Sequence, residues 1–508
     1  MEYTNQGKKM SPAKRRKNRI QKAFKTVGEM LVGIQILATL VFLLFTWRLG
    51  MIPVKYLAVG TGILLMFALI LLIIQVVSRG KAIISKVVSL CMTGVLLFGS
   101  MYLYRTHSAV FDIFGDSSSV QVDSMIVVVR ADDAAQSVAD TAGYLYGIQS
   151  GENNGMAETL AHVNEETGTQ VQTSSYDSLN AEAGALLDGS VQAIIYNEGY
   201  GGMLGEVYPE YDSKVRVIGQ YSIENDSAAV KEIQGKAAQV NVQNETFSVY
   251  ISGIDVYGPI ATNSRSDVNI IATVNPQTKQ VLLTSTPRDY YVTIPDISGD
   301  QRDKLTHAGI YGVDRSMATL ANLYGIDIPF YVRVNFTSLI QIVDMMGGVD
   351  VYSEYAFTTS GNGGQVMDVQ QGVNHFDGQQ ALSFARERYN VPGGDNQRGK
   401  DQMAVIEAMI QKMMSPEMLI QAPSLIGSVS DSIDTNVSMD QIQKLVQDQL
   451  NNGGSWTIKS VAAEGSGDNN YCYSMPGSLL YVMNPDQASV DNIKSLMQMV
   501  QNGEQLPQ

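Results

Sequence analysis

Three short stretches decide how this chain is read: FSVYISGID at residues 247–255, SRSDVNIIATV at 264–274 and QVLLTSTPRD at 280–289. Each contains a run of β-branched and aromatic residues bounded by Gly, Asn or Pro, the pattern of a buried strand. Each also carries charge where its run begins or ends: Asp255, the pair Arg265 and Asp267, and the pair Arg288 and Asp289. Farther on, Arg386 and Arg388 flank Glu387, and Asp395, Arg398 and Gln402 follow in GDNQRGKDQ. Arginines converging from strand ends would bind a multiply charged anion such as a pyrophosphate, because planar guanidinium groups match phosphate oxygens two at a time. Carboxylates among them repel that anion unless a hard cation lies between. Mg²⁺, or Mn²⁺ in its place, joins one or two carboxylates to substrate phosphates. Asp255 and Asp267 therefore read as metal ligands and the arginines as a phosphate clamp. Surface salt bridges explain any one of these pairs as well, but not the whole set at strand ends.

Outward from these strands the chain alternates strand and helix, so the fold class is α/β. Helices are expected at 315–324 and 338–346, with a strand at 331–334 between them and another from 347–351. A helix over 402–414 repeats Met403, Ile406, Met409, Ile410 and Met413 at helical spacing. That stripe is ordinary core or a pliable wall for a greasy ligand, since Met fits irregular shapes. Upstream, residues 124–245 read as a second, small α/β domain. It has strands at 124–130, 192–196 and 214–221 and helices over about 134–148 and 177–187. With no catalytic constellation, it reads as an accessory, positioning domain. A polar linker over 106–123 precedes it.

The formal charge of -15 over 508 residues hides a split. Residues 1–105 hold 15 Lys and Arg against Glu2 and Glu29, and residues 106–508 hold the other 20 against 48 acidic side chains. The basic part contains three apolar runs, near 30–47, 56–77 and 87–104, each close to the roughly 20 residues that cross a bilayer. Nine Lys and Arg between Lys8 and Lys25 precede the first run, and Arg79, Lys81 and Lys86 lie between the second and third. The positive-inside rule then places a basic tail, 1–29, and the second loop in the cytoplasm, and everything after Arg105 outside. Beside a membrane span, basic residues serve topology and anionic lipid, so no nucleic-acid partner is expected.

Several functions are excluded. Two cysteines, Cys91 and Cys472, and four histidines argue against a disulfide scaffold and a multi-histidine metal enzyme. GDNQRGKD, residues 394–401, imitates a P-loop, but Asp401 stands where the magnesium-binding Ser or Thr belongs. No HExxH or GxSxG occurs. His307 and His375 read as structural.

The blocks SGIDVYG, SRSDVNI, TPRDYYV, DKLTHAGIYG, VNFTSLIQIVDMMGGVDV, GQQALSFARERY and GDNQRGKDQ occur in this order. Over residues 246 to the mid-410s the chain resembles the LytR-CpsA-Psr (LCP) family. Its three spans and extra domain are similar to the capsule-type branch. The resemblance implies a mixed central sheet flanked by helices in a catalytic domain over 246–508, with a C-terminal extension and an apolar pocket for a polyprenyl chain. It implies a phosphotransferase that moves capsular polysaccharide or a related glycan phosphate from an undecaprenyl-pyrophosphate carrier to peptidoglycan. Its partners would be that lipid-linked glycan, the peptidoglycan acceptor, the membrane and capsule-assembly proteins. On matching positions, Asp255 and Asp267 would hold Mg²⁺, and Arg265, Arg288, Arg386, Arg388 and Gln402 would bind pyrophosphate. Lys304 and Arg398 also fall in motif positions on the pyrophosphate side, and Asp289 and Asp395 are carboxylates able to accept a proton. The chain departs from many members at Tyr257 and Asp401, where they carry Arg. The rival readings are a membrane-bound regulator or scaffold and a hydrolase of the same lipid pyrophosphate.

Overall fold

The computed structural model describes residues 11–507 apart from 79–80, 115–120, 151–153, 226–227, 255–259, 261, 362–363, 416, 420–424 and 426–432. It divides into two compact units, Met1–Asp112 with Val446–Asn452, and Ile113–Leu445 with Gly453–Gln508.

The first unit contains α1 (Pro12–Leu49), α2 (Val54–Val77) and α3 (Ile83–Phe114). All three are long and apolar enough to cross a membrane. Their outer surfaces are greasy, with Val54, Ile84 and Phe98 among the most exposed side chains, as lipid-facing helices require. Polar pairs join them inside: Ser89 Oγ donates to Gln35 Oε1 at 2.8 Å and Ser85 Oγ to Gln75 Oε1 at 3.0 Å. Such pairs serve where no hydrophobic force drives helices together. The basic residues 15–25 form the first turns of α1. The expected linker at 106–123 is shorter than predicted, because α3 runs to Phe114. No Gly or Pro interrupts residues 106–114.

The second unit opens with the five-stranded accessory sheet. Its elements are β1 (Gln121–Arg130), β2 (Leu145–Gln149), α4 (Asn154–Thr167), β3 (Gln172–Tyr176), α5 (Leu179–Asp188), β4 (Ala193–Asn197), α6 (Gly201–Val207), α7 (Tyr211–Lys214), β5 (Val215–Asn225) and α8 (Ala228–Gln239), and the sheet order is β3-β2-β4-β1-β5. The helix expected near 134–148 does not form. Asp133 and Asp140 accept hydrogen bonds from the backbone N–H groups of Ala135, Gln136 and Ser137 at 2.9 Å each. Short acidic side chains that capture the backbone in this way compete with helix. The result is one 3₁₀ turn, Val138–Thr141, and then β2.

The next sheet carries the site. It comprises β6 (Phe247–Ile254), β7 (Ser266–Asn275), β8 (Gln280–Ser285), β11 (Phe330–Val334), β16 (Ile433–Thr435) and β17 (Thr457–Ala462) in the order β16-β11-β6-β7-β8-β17. It is mixed: β6, β7 and β8 are antiparallel neighbours, whereas β11 runs parallel to β6 and β17 to β8. Alternate residues feed two cores, as a strand's period of two demands. Tyr250, Ile271 and Leu282 meet α10 (Val313–Tyr324) and the C-terminal helix Gln487–Gln501. Ile270, Val281 and Leu283 meet Met403, Ile406 and Ile410 of α13 (Asp395–Met413) on the other face. Met403 is thus ordinary core, while Met409 packs on a separate cluster with α11 (Phe336–Met345) and α12 (Gly378–Arg386).

Short pieces complete the unit: β9 (Tyr291–Val292), β10 (Asp303–Lys304), α9 (Leu305–Ala308), β12 (Val349–Ser353), β13 (Phe357–Thr358), β14 (Asp368–Val369), β15 (Gly372–Phe376) and the hairpin β18 (Gly465–Cys472) with β19 (Met475–Pro485). The hairpin's Cys472, Leu480 and Val482 share one buried cluster with Leu179, Leu186, Met203 and Leu204 of the accessory helices. The C-terminal extension and the accessory domain therefore bury each other.

Candidate functional site

The antiparallel ladder builds the site. Ile270 pairs with Ser285, so the start of β7 lies beside the end of β8. Arg265 and Asp267 at one end thereby meet Thr286, Pro287, Arg288 and Asp289 at the other. The bend is pinned from behind. Thr286 N donates to Asn269 O at 2.9 Å. Asn269 donates to Ser266 O at 2.8 Å and accepts from Tyr250 OH at 2.7 Å. Thr286 Oγ1 lies 2.8 Å from Tyr324 OH.

Helix α13 closes the other side. Gly399, in its second turn, sits so close to β8 that a Cβ there would lie 3.0 Å from Ser285 Oγ. Glycine at this position lets the first turns of α13, with Asp395, Arg398 and Gln402, reach the strand ends. Between β7, β8 and α13 lies an open pocket lined by Asp267, Arg288, Asp395, Asn396, Arg398 and Gln402, among others.

Inside it the charges are already paired. Arg288 Nη1 lies 3.1 Å from Asp267 Oδ1, and its Nε lies 3.7 Å from Asp289 Oδ2. Arg398 Nη2 lies 2.7 Å from Asp395 Oδ1. Thr306 Oγ1 also donates to Asp267 Oδ1, at 3.3 Å. Burial works against an ionised Asp267, but Arg288, Arg265 and Arg398 outweigh it and hold the carboxyl below its ordinary range. Burial likewise opposes the charge on Arg288, and Asp267, Asp289 and Asp395 overcome it and raise its pKa. Arg398 goes the other way. Burial, with Arg288 and Arg388 nearby, lowers its pKa despite Asp395.

The expected residues do not all reach the pocket. Asp267, Arg288, Asp395, Arg398 and Gln402 line it. Arg265 acts on Asp267 from the side and Arg388 on Arg398. Asp289 and Lys304 sit behind, Lys304 Nζ lying 3.4 Å from Asp289 Oδ1. Arg386 departs from the expected clamp. Its guanidinium covers the Phe336 ring at 3.9 Å, a cation–π contact at the start of α11. Arg388 Nη2 donates to Tyr389 OH at 2.7 Å. Gln402 Nε2 donates to Ala385 O at 3.3 Å, which ties the pocket wall to the end of α12. Asp255 and Tyr257 lie outside the described residues.

Among the described residues no group of three or more His, Cys, Asp or Glu side chains is placed to hold a metal by itself. A magnesium ion shared with substrate phosphates needs only one or two carboxylates. Asp267, held ionised with Oδ1 occupied by Arg288 and Thr306, fits that part. His307 and His375 each pair with an aspartate. His307 is buried, with Nδ1 2.6 Å from Asp303 Oδ1 and 2.9 Å from Ser474 Oγ. Both partners use the same ring nitrogen, so no relay runs through the ring. His375 is exposed and pairs with Asp350 at 2.7 Å.

Asp401, expected to remove positive charge from the site, is buried and bonded to Gln397 Nε2 at 3.0 Å. Burial pushes its pKa up to about 7, so it is half protonated near neutrality and subtracts less charge than its type suggests. A carboxyl raised in the folded state loses stability as pH climbs from its ordinary 3.8 through about 7. Asp401→Asn should match the parent at about pH 3.5, below the ordinary carboxyl value, and be the more stable protein at pH 8, as read from denaturant midpoints. An equal loss at both pH values would contradict this.

Residue type alone does not mark Asn269, Thr306 or Gly399 as functional in the sequence. All three stand inside or beside the recognised blocks, so position in a block was the available signal. Glu206, whose carboxylate lies 2.8 Å from Lys304 Nζ, lies in none.

A membrane-anchored mixed α/β sheet with an arginine–carboxylate pocket at its strand ends defines the class. The LytR_cpsA_psr family model matches residues 217–497. The chain belongs to the LytR_cpsA_psr family. It is 36% identical over 237 residues to an Enterococcus faecalis protein named polyisoprenyl-teichoic acid–peptidoglycan teichoic acid transferase TagU, a match covering 46% of this chain and 75% of that one. A protein of the same name from Oceanobacillus iheyensis is 30% identical over 254 residues, covering 49% and 74%. The crystal structure of B. subtilis TagV superimposes with a TM-score of 0.43 at 24% identity, covering 51% of this chain and 98% of that one.

Proposed function

We propose that this chain is a membrane-anchored transferase that moves a glycan phosphate from a polyprenyl-pyrophosphate carrier, undecaprenyl in the capsule-type branch, to peptidoglycan. The observation that carries the reading is the pocket in which Arg288, Arg265 and Arg398 surround Asp267, in a chain whose relatives are named as transferases of this kind.

Arg288 and Arg398 exchange their carboxylate partners for pyrophosphate oxygens. The freed carboxylates suit a hard cation, and Mg²⁺ at Asp267 would supply charge neutralisation on the phosphates. Phosphoryl transfer asks for alignment and charge stabilisation more than for covalent help. An acceptor hydroxyl oxygen forms a bond to the phosphorus that carries the glycan. The bond from that phosphorus to the bridging oxygen breaks, and polyprenyl phosphate leaves with the electron pair. Asp395, on the pocket wall, takes the hydroxyl proton. The apolar sides of α11 and α13, with Met345 and Met409 packed between them, would receive the polyprenyl chain. The charge pattern places residues 1–29 and the loop at 78–86 in the cytoplasm and the sheet domains outside, where capsular polysaccharide is one fitting cargo.

The test uses the full-length protein in lipid nanodiscs with polyprenyl-pyrophosphate-linked glycan and isolated peptidoglycan. Glycan attached to the wall polymer, dependent on divalent cation, is the expected product. Free glycan phosphate without conjugate would instead establish a hydrolase.

A further inference from the structure

Helix α6 of the accessory domain touches the site twice. Gly202 packs against the guanidinium of Arg265, so closely that a Cβ at 202 would stand 2.5 Å from Arg265 Cζ. Four residues on, one helical turn away and on the same face, Glu206 Oε2 lies 2.8 Å from Lys304 Nζ. Lys304 is only 3% exposed, and its other carboxylate partner, Asp289, is looser at 3.4 Å. Asp289 in turn faces Arg288 Nε at 3.7 Å. A continuous line of charges thus runs from α6 through Lys304 and Asp289 to Arg288. A direct steric contact runs from the same helix to Arg265.

We propose that α6 is a wall of the transfer site, in which Gly202 seats Arg265 and Glu206 holds Lys304 so that Asp289 keeps Arg288 in place. Gly202 and Glu206 are positioning residues, and the accessory domain is a working part of the clamp. Both lie outside residues 217–497, the part matched by the family model, so family membership assigns them nothing. The inference rests on the clamp reading given above.

A compact, nearly buried ammonium needs a full complement of acceptors. Glu206 supplies the nearer one. Without its charge, Lys304 is drawn wholly onto Asp289, which then leaves Arg288. At Gly202 only the flexible head of Arg265 stands in the way of a methyl group. Alanine there moves the arginine and spares the backbone, and within a helix it is otherwise the better residue.

The experiment compares Gly202→Ala, Glu206→Gln and Arg265→Ala in the full-length chain, with the exposed Glu158→Gln as control. Thermal midpoint and binding of geranylgeranyl pyrophosphate are the readouts. Gly202→Ala should melt at or above the parent temperature yet bind the pyrophosphate about tenfold or more weakly, the size of one lost charged hydrogen bond. Glu206→Gln should weaken binding in the same direction, and Glu158→Gln should change neither readout. Stable Gly202→Ala and Glu206→Gln proteins that bind like the parent, beside a weakened Arg265→Ala, overturn the inference and leave the clamp standing. Parent-like binding by Arg265→Ala overturns the clamp and this inference with it.

Discussion

Arg288→Ala leaves the chain folded and lowers glycan transfer by about 10²–10³, the cost of removing one preorganised electrostatic donor. Arg288 is the hub of the pocket, contacting Asp267 at 3.1 Å and Asp289 at 3.7 Å. Its loss removes a positive fork from the pyrophosphate. It also leaves Asp267 without its strongest partner, so the Asp267 carboxyl moves back up toward its ordinary range. In the parent, that depressed carboxyl adds stability at neutral pH that fades as pH falls through the folded-state value. The variant should therefore show less acid sensitivity of its melting point as well as less transfer. Arg288→Lys keeps the charge without the two-toothed fork and should recover only part of the activity. A folded Arg288→Ala protein with parent-like transfer would falsify the assignment of the site.

Gly309→Ala acts on the same pocket through the backbone. Gly309 ends α9 in ordinary helical conformation, φ -65°, so alanine meets no torsional objection. A Cβ there would stand 2.5 Å from Ser264 O and 2.9 Å from Ser266 N. These are main-chain atoms on either side of Arg265, and no rotamer change clears them. Overpacking of this kind costs about 1–3 kcal/mol, and relief requires the start of β7 to move. Arg265 and Asp267 move with it. Transfer should fall by at least tenfold at temperatures where the variant is still fully folded. Gly168→Ala, just after α4 of the accessory domain, is the matched control. It forces a left-handed φ of 67° with open space around the Cβ, a strain of roughly 1–2 kcal/mol at a residue that does not line the pocket. If both variants lose stability alike and both keep full activity, the close approach at Gly309 has no bearing on the site.

Much of the site was legible because its chemistry is concentrated at strand ends. Asp267, Arg288, Asp395, Arg398 and Gln402 stand in short blocks whose apolar neighbours announce the strands or helices that carry them. Antiparallel pairing of two adjacent strands then brings the blocks together almost without further information. Arg386 stands outside the pocket lining for a physical reason. A guanidinium also stacks on an aromatic face, and Phe336 becomes its neighbour only when α11 packs on α12. Residues 134–148 misled because alanines suggest helix, while Asp133 and Asp140 spend their side chains on the backbone instead.

The sequence by itself determined the apolar helices, the strand pattern and the arginine–carboxylate inventory, since each depends on residue type and spacing along the chain. Tertiary structure alone decided which charges share a pocket and that Asp401 is half neutral. It also decided that accessory helix α6 presses on Arg265 and Lys304. Those facts depend on burial and on distances between residues far apart in sequence, and neither is encoded in any local pattern.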